Sequence, residues 1–184
     1  MIPERFADVL RAPEVRASLL PEDGPFPNNP DLPLLVYAHV LQDGVSARAD
    51  VFEEVFRAHA WRGSWRDGIF SYHHYHSTTH EVLGVARGRA TVRLGGPSGL
   101  RVDASAGDVL ILPAGVAHKN EGASRDFLVV GAYPEGRDWD LRTGEPGDRP
   151  EADRTIEAVP RPARDPVYGE EGPLLDRWAD ASSS

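Results

Sequence analysis

Short apolar runs separated by glycine turns fill the chain between residues 63 and 134. Ala90, Val92 and Leu94 alternate with polar residues, and this two-residue period places them on one buried face of a strand. Strands at such regular spacing favour an all-β sandwich or barrel. The segments that we predict as strands in this region are 70–76, 81–87, 90–94, 100–104, 108–112, 116–120 and 127–133.

Residues 1–62 precede this barrel region and are predicted to form an arm that packs on it. The apolar run 34–37 predicts a strand. A helix is expected from Asp50, a capping residue, to Trp61. Its apolar stripe should pack on the barrel wall, and it consists of Phe52, Val55, Phe56 and His59.

Residues 135–184 are rich in proline, glycine and charge, so we expect little of this region to form core. Two alternatives stay open: an arm that lies on the barrel or on a partner subunit, and a partly ordered tail. The segments most suited to docking are 165–168 and the apolar residues Leu174, Leu175 and Trp178.

Composition restricts the function classes. The net charge of −9 argues against nucleic acid or an anionic membrane as partner, because both require basic patches. The absence of cysteine excludes disulfides, thiolate metal sites and cysteine nucleophiles. No apolar run approaches the ~18 residues of a membrane span, and the first residues lack the pattern of a secretory signal. We therefore expect a cytoplasmic protein.

Histidines gather around the predicted strand 70–76. His74 and His76 are two residues apart, so they share one face of that strand. A short turn then brings Glu81 back beside them, and His118 follows a proline–glycine turn that can aim it inward. Three imidazoles and one carboxylate suit a divalent transition metal such as Fe, Mn, Ni, Co or Zn. An octahedral ion held by this set would keep two positions for water or substrate.

Three further residues near these four are interpreted differently. His73 lies on the opposite face of the predicted strand, and His80 directly precedes the carboxylate, so both are expected to be surface or hydrogen-bonded core residues. Lys119, the only lysine of the chain, lies on the face opposite His118. We expect a structural or interface role for it.

The same residues resemble the two motifs of the cupin superfamily. The first motif, G-x5-H-x-H-x3–4-E-x6-G, is met at every fixed position, and these positions are Gly68, His74, His76, Glu81 and Gly88. The second motif, G-x5-P-x-G-x2-H-x3-N, is met at Gly107, Pro113, Gly115 and His118. It departs at its last position, where Gly122 stands and Asn120 comes two residues earlier. The resemblance implies a single cupin barrel, that is, a double-stranded β-helix or jelly roll.

Most of the chain also resembles the YjlB-like bacterial cupins. The segments that carry this resemblance are 30–33, 65–76, 117–120, 131–134 and 165–169. The resemblance implies a homodimer with one divalent metal ion. It implies no particular reaction, and a fold hosts many unrelated functions.

A small-molecule pocket is expected above the ion, with aromatic walls and few charges. Its predicted lining residues are Phe70, Tyr72, Val116, Asn120, Tyr133 and Trp65. We favour an oxidoreductase of dioxygenase type that acts on a small, partly apolar molecule, with Tyr72 donating a hydrogen bond to the bound group. A metal Lewis acid in an isomerase or lyase is a second hypothesis. A binding or sensing module without turnover is the third.

Overall fold

The computed structural model describes residues 2–179, and β-strands dominate it. The strands are β1 (Glu14–Ser18), β2 (Leu34–Ala38), β3 (Trp61–Asp67), β4 (Glu81–Arg87), β5 (Arg89–Leu94), β6 (Leu100–Ser105), β7 (Val109–Leu112), β8 (His118–Ala123) and β9 (Leu128–Pro134). The helices are α1 (Arg48–Ala58), α2 (Glu151–Glu157), α3 (Pro173–Arg177) and a 3-10 turn at Glu4–Phe6. The prediction of a mostly β-sheet chain with few helices is confirmed. None of the helices within residues 2–179 combines the length and apolarity that a bilayer crossing requires.

Two antiparallel sheets form the barrel, one with the order β1-β2-β7-β4-β9-β3 and one with the order β6-β5-β8. Their facing sides enclose one apolar core, to which β2 contributes Leu34 and Val36, and β5 contributes Val92 and Leu94. The other face of the large sheet is covered as well. Leu35 and Tyr37 of β2 and Val109 and Ile111 of β7 belong to a second buried cluster, together with residues of helix α1 and of the C-terminal region. A sheet buried on both faces explains why β2 and β7 are apolar without alternation.

Helix α1 lies against the large sheet through a close approach to β4. Phe52, Val55 and Phe56 are buried on the packed face. A Cβ atom at Gly84 would lie 2.8 Å from the Phe52 ring, so only glycine accepts this contact. Asp50 is not the cap that the sequence suggested. It lies in the first turn, because the helix already begins at Arg48.

The prediction of a regular strand over residues 70–76 is wrong. The segment follows β8 only loosely, with bonds from the Asn120 amide to the Phe70 carbonyl (2.9 Å) and from the His74 amide to the His118 carbonyl (3.2 Å). The register slips by two residues between these bonds, which breaks the ladder. The segment is therefore a loop with isolated bridges at 74 and 75, and the regular strand lies earlier, at β3.

The C-terminal region contributes more to the core than its composition suggests. Val167, Tyr168, Leu174 and Trp178 are all buried in the cluster under the large sheet. The expectation that little of this region forms core is therefore wrong, because a few apolar side chains among many polar ones are enough to dock it. The final residues 180–184 lie outside the described part of the chain.

Candidate metal centre

The backbone places two of the three central histidines side by side. His74 and His118 exchange both backbone hydrogen bonds, at 3.2 Å and 2.9 Å, and their ring centroids lie 4.0 Å apart. The Gly115 amide donates to the His76 carbonyl at 2.8 Å, which ties the third histidine to the turn before His118. These bonds fix the loop 68–80 beside the first residue of β8.

The three histidine rings converge in one tautomer. His74, His76 and His118 are buried, and one nitrogen from each lies within 4.8 Å of the others. The Nδ1 atoms of His74 and His118 each donate to the carbonyl two residues earlier, at 3.0 Å, and that of His76 donates to the Asp140 carbonyl. A carbonyl only accepts, so Nδ1 carries the hydrogen and Nε2 keeps a free lone pair. Such outer contacts orient histidines that ligate metals.

Glu81, the first residue of β4, adds a carboxylate to this cluster. Its Oε2 atom lies 3.3 Å from Nε2 of His76 and 3.4 Å from Nε2 of His118. This buried oxygen has no hydrogen-bond partner among the described residues. In the neutral form of both rings the three atoms present only lone pairs to one another, and a cation among them would satisfy all three. The donor set therefore fits a divalent metal ion.

The pKa values follow from burial and mutual charge. Burial would raise the pKa of Glu81, but His76 and His118 outweigh it and hold that pKa well below its usual range. Burial opposes protonation of His76 too, yet Glu81 leaves the pKa of His76 raised. Burial, followed by the charge of His118, lowers the pKa of His74 to about 3.

A cavity of about 220 Å³ opens onto this cluster. Its lining residues are Trp65, Arg66, Asp67, Gly68, Ile69, Phe70, His74, His76, Glu81, Leu83, His118, Tyr133 and Trp139. All four predicted ligands and the predicted pocket residues Phe70, Trp65 and Tyr133 border it.

The other predicted pocket residues, Tyr72, Val116 and Asn120, do not line the cavity. Tyr72 is 43% exposed and stacks on the outer side of Phe70, with ring centroids 5.0 Å apart. Val116 precedes β8 and enters the core between the sheets, whereas the Asn120 side chain accepts a bond from the Gly122 amide. Strand parity did not predict these positions, because the loop 68–80 is irregular and β8 shifts its register on β5 after Asn120. Tyr72 therefore does not line the cavity itself, although its ring centroid lies 5.6 Å from that of His74, which does.

The residues set aside from the ligand set lie away from the cavity. His73 packs on the Phe26 ring at 5.4 Å. His80 is a buried core residue, whose Nδ1 accepts from the Ala114 amide at 2.8 Å. Lys119 pairs across the small sheet with Arg93 and does not border the cavity.

Tyr133 lines the cavity, and its ring centroid lies 6.2 Å from that of His76. The Trp65 indole donates to the Tyr133 oxygen at 2.8 Å. Burial first, and then the charge and hydrogen bonding of Glu81, raise the pKa of Tyr133. Trp65 reaches this position across Gly131, where a Cβ atom would lie 2.1 Å from the indole.

Sequence reasoning missed two residues of the C-terminal region. The Trp139 ring lies 5.5 Å from His76 and is nearly parallel to Tyr133, at 6.5 Å and 22°. Asp140 accepts through its carboxylate from the Ser77 amide at 2.6 Å and from the Ser77 hydroxyl, and through its carbonyl from His76. The only signal in the sequence was a tryptophan isolated in a polar stretch.

Comparisons with known proteins agree with this geometry. The family model described as "Cupin domain" matches residues 67–130. The curated "Uncharacterized protein YjlB" of Bacillus subtilis (strain 168) is 42% identical over 165 residues, which cover 90% of this chain and 97% of that protein.

Two solved structures show a weaker similarity. Acireductone dioxygenase from Bacillus anthracis, with a cadmium ion in its active centre, is 16% identical with a TM-score of 0.35, over 49% of this chain and 60% of its own. RmlC from Streptococcus suis, in complex with dTDP-D-xylose, is 12% identical with a TM-score of 0.37, over 91% and 95%. Similarity at this level carries no conclusion about activity.

Proposed function

The chain belongs to the YjlB-like cupins, and from that premise we propose that it binds one divalent transition metal ion through His74, His76, His118 and Glu81. The observation that carries this proposal is the buried Oε2 atom of Glu81, which faces two ring nitrogens and has no donor among the described residues. Three imidazoles and a carboxylate suit Fe, Mn, Ni, Co or Zn.

We propose further that the protein is a metal-dependent oxidoreductase of dioxygenase type, acting on a small, partly apolar molecule. Ferrous iron at this site would supply the redox chemistry. Among the chain's own residues, Trp65 and Phe70 would provide apolar walls for the substrate. Tyr133 keeps its proton, because its pKa is raised, and can donate a hydrogen bond to a substrate oxygen.

One observation favours an isomerase or lyase as the second candidate. Such chemistry needs a group that holds a proton beside the metal Lewis acid. The Tyr133 hydroxyl, fixed by Trp65 and next to Glu81, is such a group. A metal ion without redox activity would serve this reaction equally well.

Oxygen uptake separates these candidates. The protein is reconstituted anaerobically with ferrous iron and then offered catechols, thiols and diketones in the presence of oxygen. The dioxygenase proposal expects uptake with at least one class, no uptake by the zinc form and none by His76→Ala. Substrate conversion by the zinc form would favour the isomerase or lyase, and no conversion in either form would leave a binding module.

Two further properties stay predictions. The homodimer rests on the family resemblance, and the cytoplasmic location rests on composition. Light scattering on the purified protein measures the first, and a mass of one chain, 20.1 kDa, would contradict it.

A further inference from the structure

The side chains that line the cavity are unsuited to an anionic group that lies away from the ion. Arg66 is the only arginine or lysine among the described residues that line it. Its guanidinium is already bonded to Glu53 at 2.7 and 2.8 Å and to Asp50 at 2.6 Å. Asp67 and Glu81 add negative charge to the lining. A phosphate or carboxylate on the substrate would therefore find no free side-chain cation to pair with.

The shape of the cavity suits a flat molecule. The Trp139 and Tyr133 rings are nearly parallel, and Phe70 also lines the cavity. Aromatic rings bind other flat rings by offset stacking or edge contacts. The volume of about 220 Å³ lies below the range of about 300–1,000 Å³ that is typical of drug-sized ligands. The volume, the aromatic lining and the lack of a free cationic side chain thus favour a small, planar substrate without an anionic group away from the ion.

Among the residues that line the cavity, Trp139 is the one best placed to select the substrate. Tryptophan is the largest apolar side chain, yet Trp139 is 50% exposed, so its burial contributes little to the stability of the protein's core. Asp140, the next residue, anchors the backbone through Ser77 and through His76. The indole is therefore held at the cavity by its neighbour and not by its own burial.

We infer that Trp139 is a specificity-determining residue, which selects for the cavity above the histidine cluster a small, planar molecule that carries no anionic group apart from the atoms that bind the ion. This inference rests on the proposed metal site. It adds the class of substrate, and it does not depend on which reaction follows.

Ligand binding to the zinc form tests this inference without turnover. Kojic acid is a flat hydroxypyranone that loses its enolic proton and binds zinc through two oxygens, and comenic acid has the same ring and the same two oxygens plus a carboxylate that lies away from the ion. Calorimetric titration of the zinc-loaded protein should give at least tenfold tighter binding of kojic acid. Trp139→Ala should weaken kojic acid about three- to tenfold, the range expected for a lost aromatic pair, and Trp139→Phe should retain most of the affinity.

Leu141→Ala is the matched control, because Leu141 flanks Asp140 on the other side, is 43% exposed and does not line the cavity. It should bind kojic acid like the unmodified protein, and zinc content should be equal in all variants. Comenic acid binding as tightly as kojic acid, or no effect of Trp139→Ala, would overturn the inference and leave the metal site intact. Failure of the unmodified protein to bind zinc would overturn the metal proposal and the inference together.

Discussion

Two buried carboxylates, Asp165 and Glu81, differ in how the protein surrounds them. Asp165 is fully buried and accepts four hydrogen bonds, from the amides of Val167, Tyr168 and Leu174 at 2.8–3.0 Å and from the Tyr37 hydroxyl at 2.6 Å. Every donor except Tyr37 lies in the C-terminal region. Asp165 thus ties that region to strand β2.

Glu81 is equally buried, but its Oε2 atom faces nitrogens that carry no hydrogen in their neutral form. Burial of a charge is unfavourable unless the charge is paired and hydrogen-bonded. Four hydrogen-bond donors reach Asp165, whereas none of the described residues donates to the Oε2 atom of Glu81. We therefore interpret Asp165 as a residue that stabilises the fold and Glu81 as a residue arranged for a ligand from outside the chain.

The largest effect should come from Asp165→Ala. Loss of the carboxylate leaves three amides and one hydroxyl buried without an acceptor, so the free energy of unfolding should fall by roughly 3–5 kcal/mol. Urea denaturation measures it. Asp165→Asn, which keeps the shape and one acceptor oxygen, should lose less. Metal bound per folded chain should not change in either variant, and a loss below about 1 kcal/mol would contradict the structural role.

Glu81→Gln should have the opposite effect: a large loss of metal affinity and a small change in stability. Metal affinity should fall by about 100-fold or more, because a ligand is lost and outer-shell changes alone typically cost about 10–100-fold. The unfolding free energy of the metal-free protein at pH 8 should change by less than about 2 kcal/mol, since no set of donors is orphaned. Zinc titration calorimetry gives the affinity. Unchanged affinity would remove Glu81 from the ligand set.

Removal of the metal should lower the thermal stability of the protein. At a free metal concentration of 100 times the dissociation constant, binding adds about 2.7 kcal/mol to the native state. For a chain of 184 residues this corresponds to about 5–10 °C in Tm. Chelation should therefore lower the Tm of the unmodified protein by this amount and leave that of His118→Ala unchanged. An equal fall in both proteins would show that the ion binds elsewhere.

The smallest effect should come from Asp140→Ala. Its carboxylate only anchors the loop whose carbonyl orients His76, so metal affinity should fall by about tenfold at most. Asp138→Ala, two residues earlier, is the control and should leave zinc affinity unchanged. Equal affinities in both variants would show that the anchoring does not matter for the ion.

The sequence predicted those parts of the site that local geometry determines. The spacing of the two cupin motifs identified His74, His76, Glu81 and His118, although His74 and His76 lie in a loop and not in the predicted strand. Side-chain parity failed for Tyr72, since the loop 68–80 follows β8 with a slipped register.

The rest depends on contacts between distant parts of the chain. Asp140 reaches His76 across 64 positions, and Tyr37 reaches Asp165 across 128. No local pattern encodes such pairs, because the intervening barrel decides which segments meet. Trp139 was missed for the same reason.

Metal content is the measurement that tests the central claim most directly. Unmodified protein and His118→Ala are purified in parallel, incubated separately with Fe, Mn, Ni, Co and Zn, desalted and analysed by mass spectrometry of the elements. We expect about one divalent ion per chain in the unmodified protein and almost none in His118→Ala. No ion retained by the unmodified protein, or the same content in both, would contradict the claim that the unsatisfied carboxylate and its three histidines form a metal site.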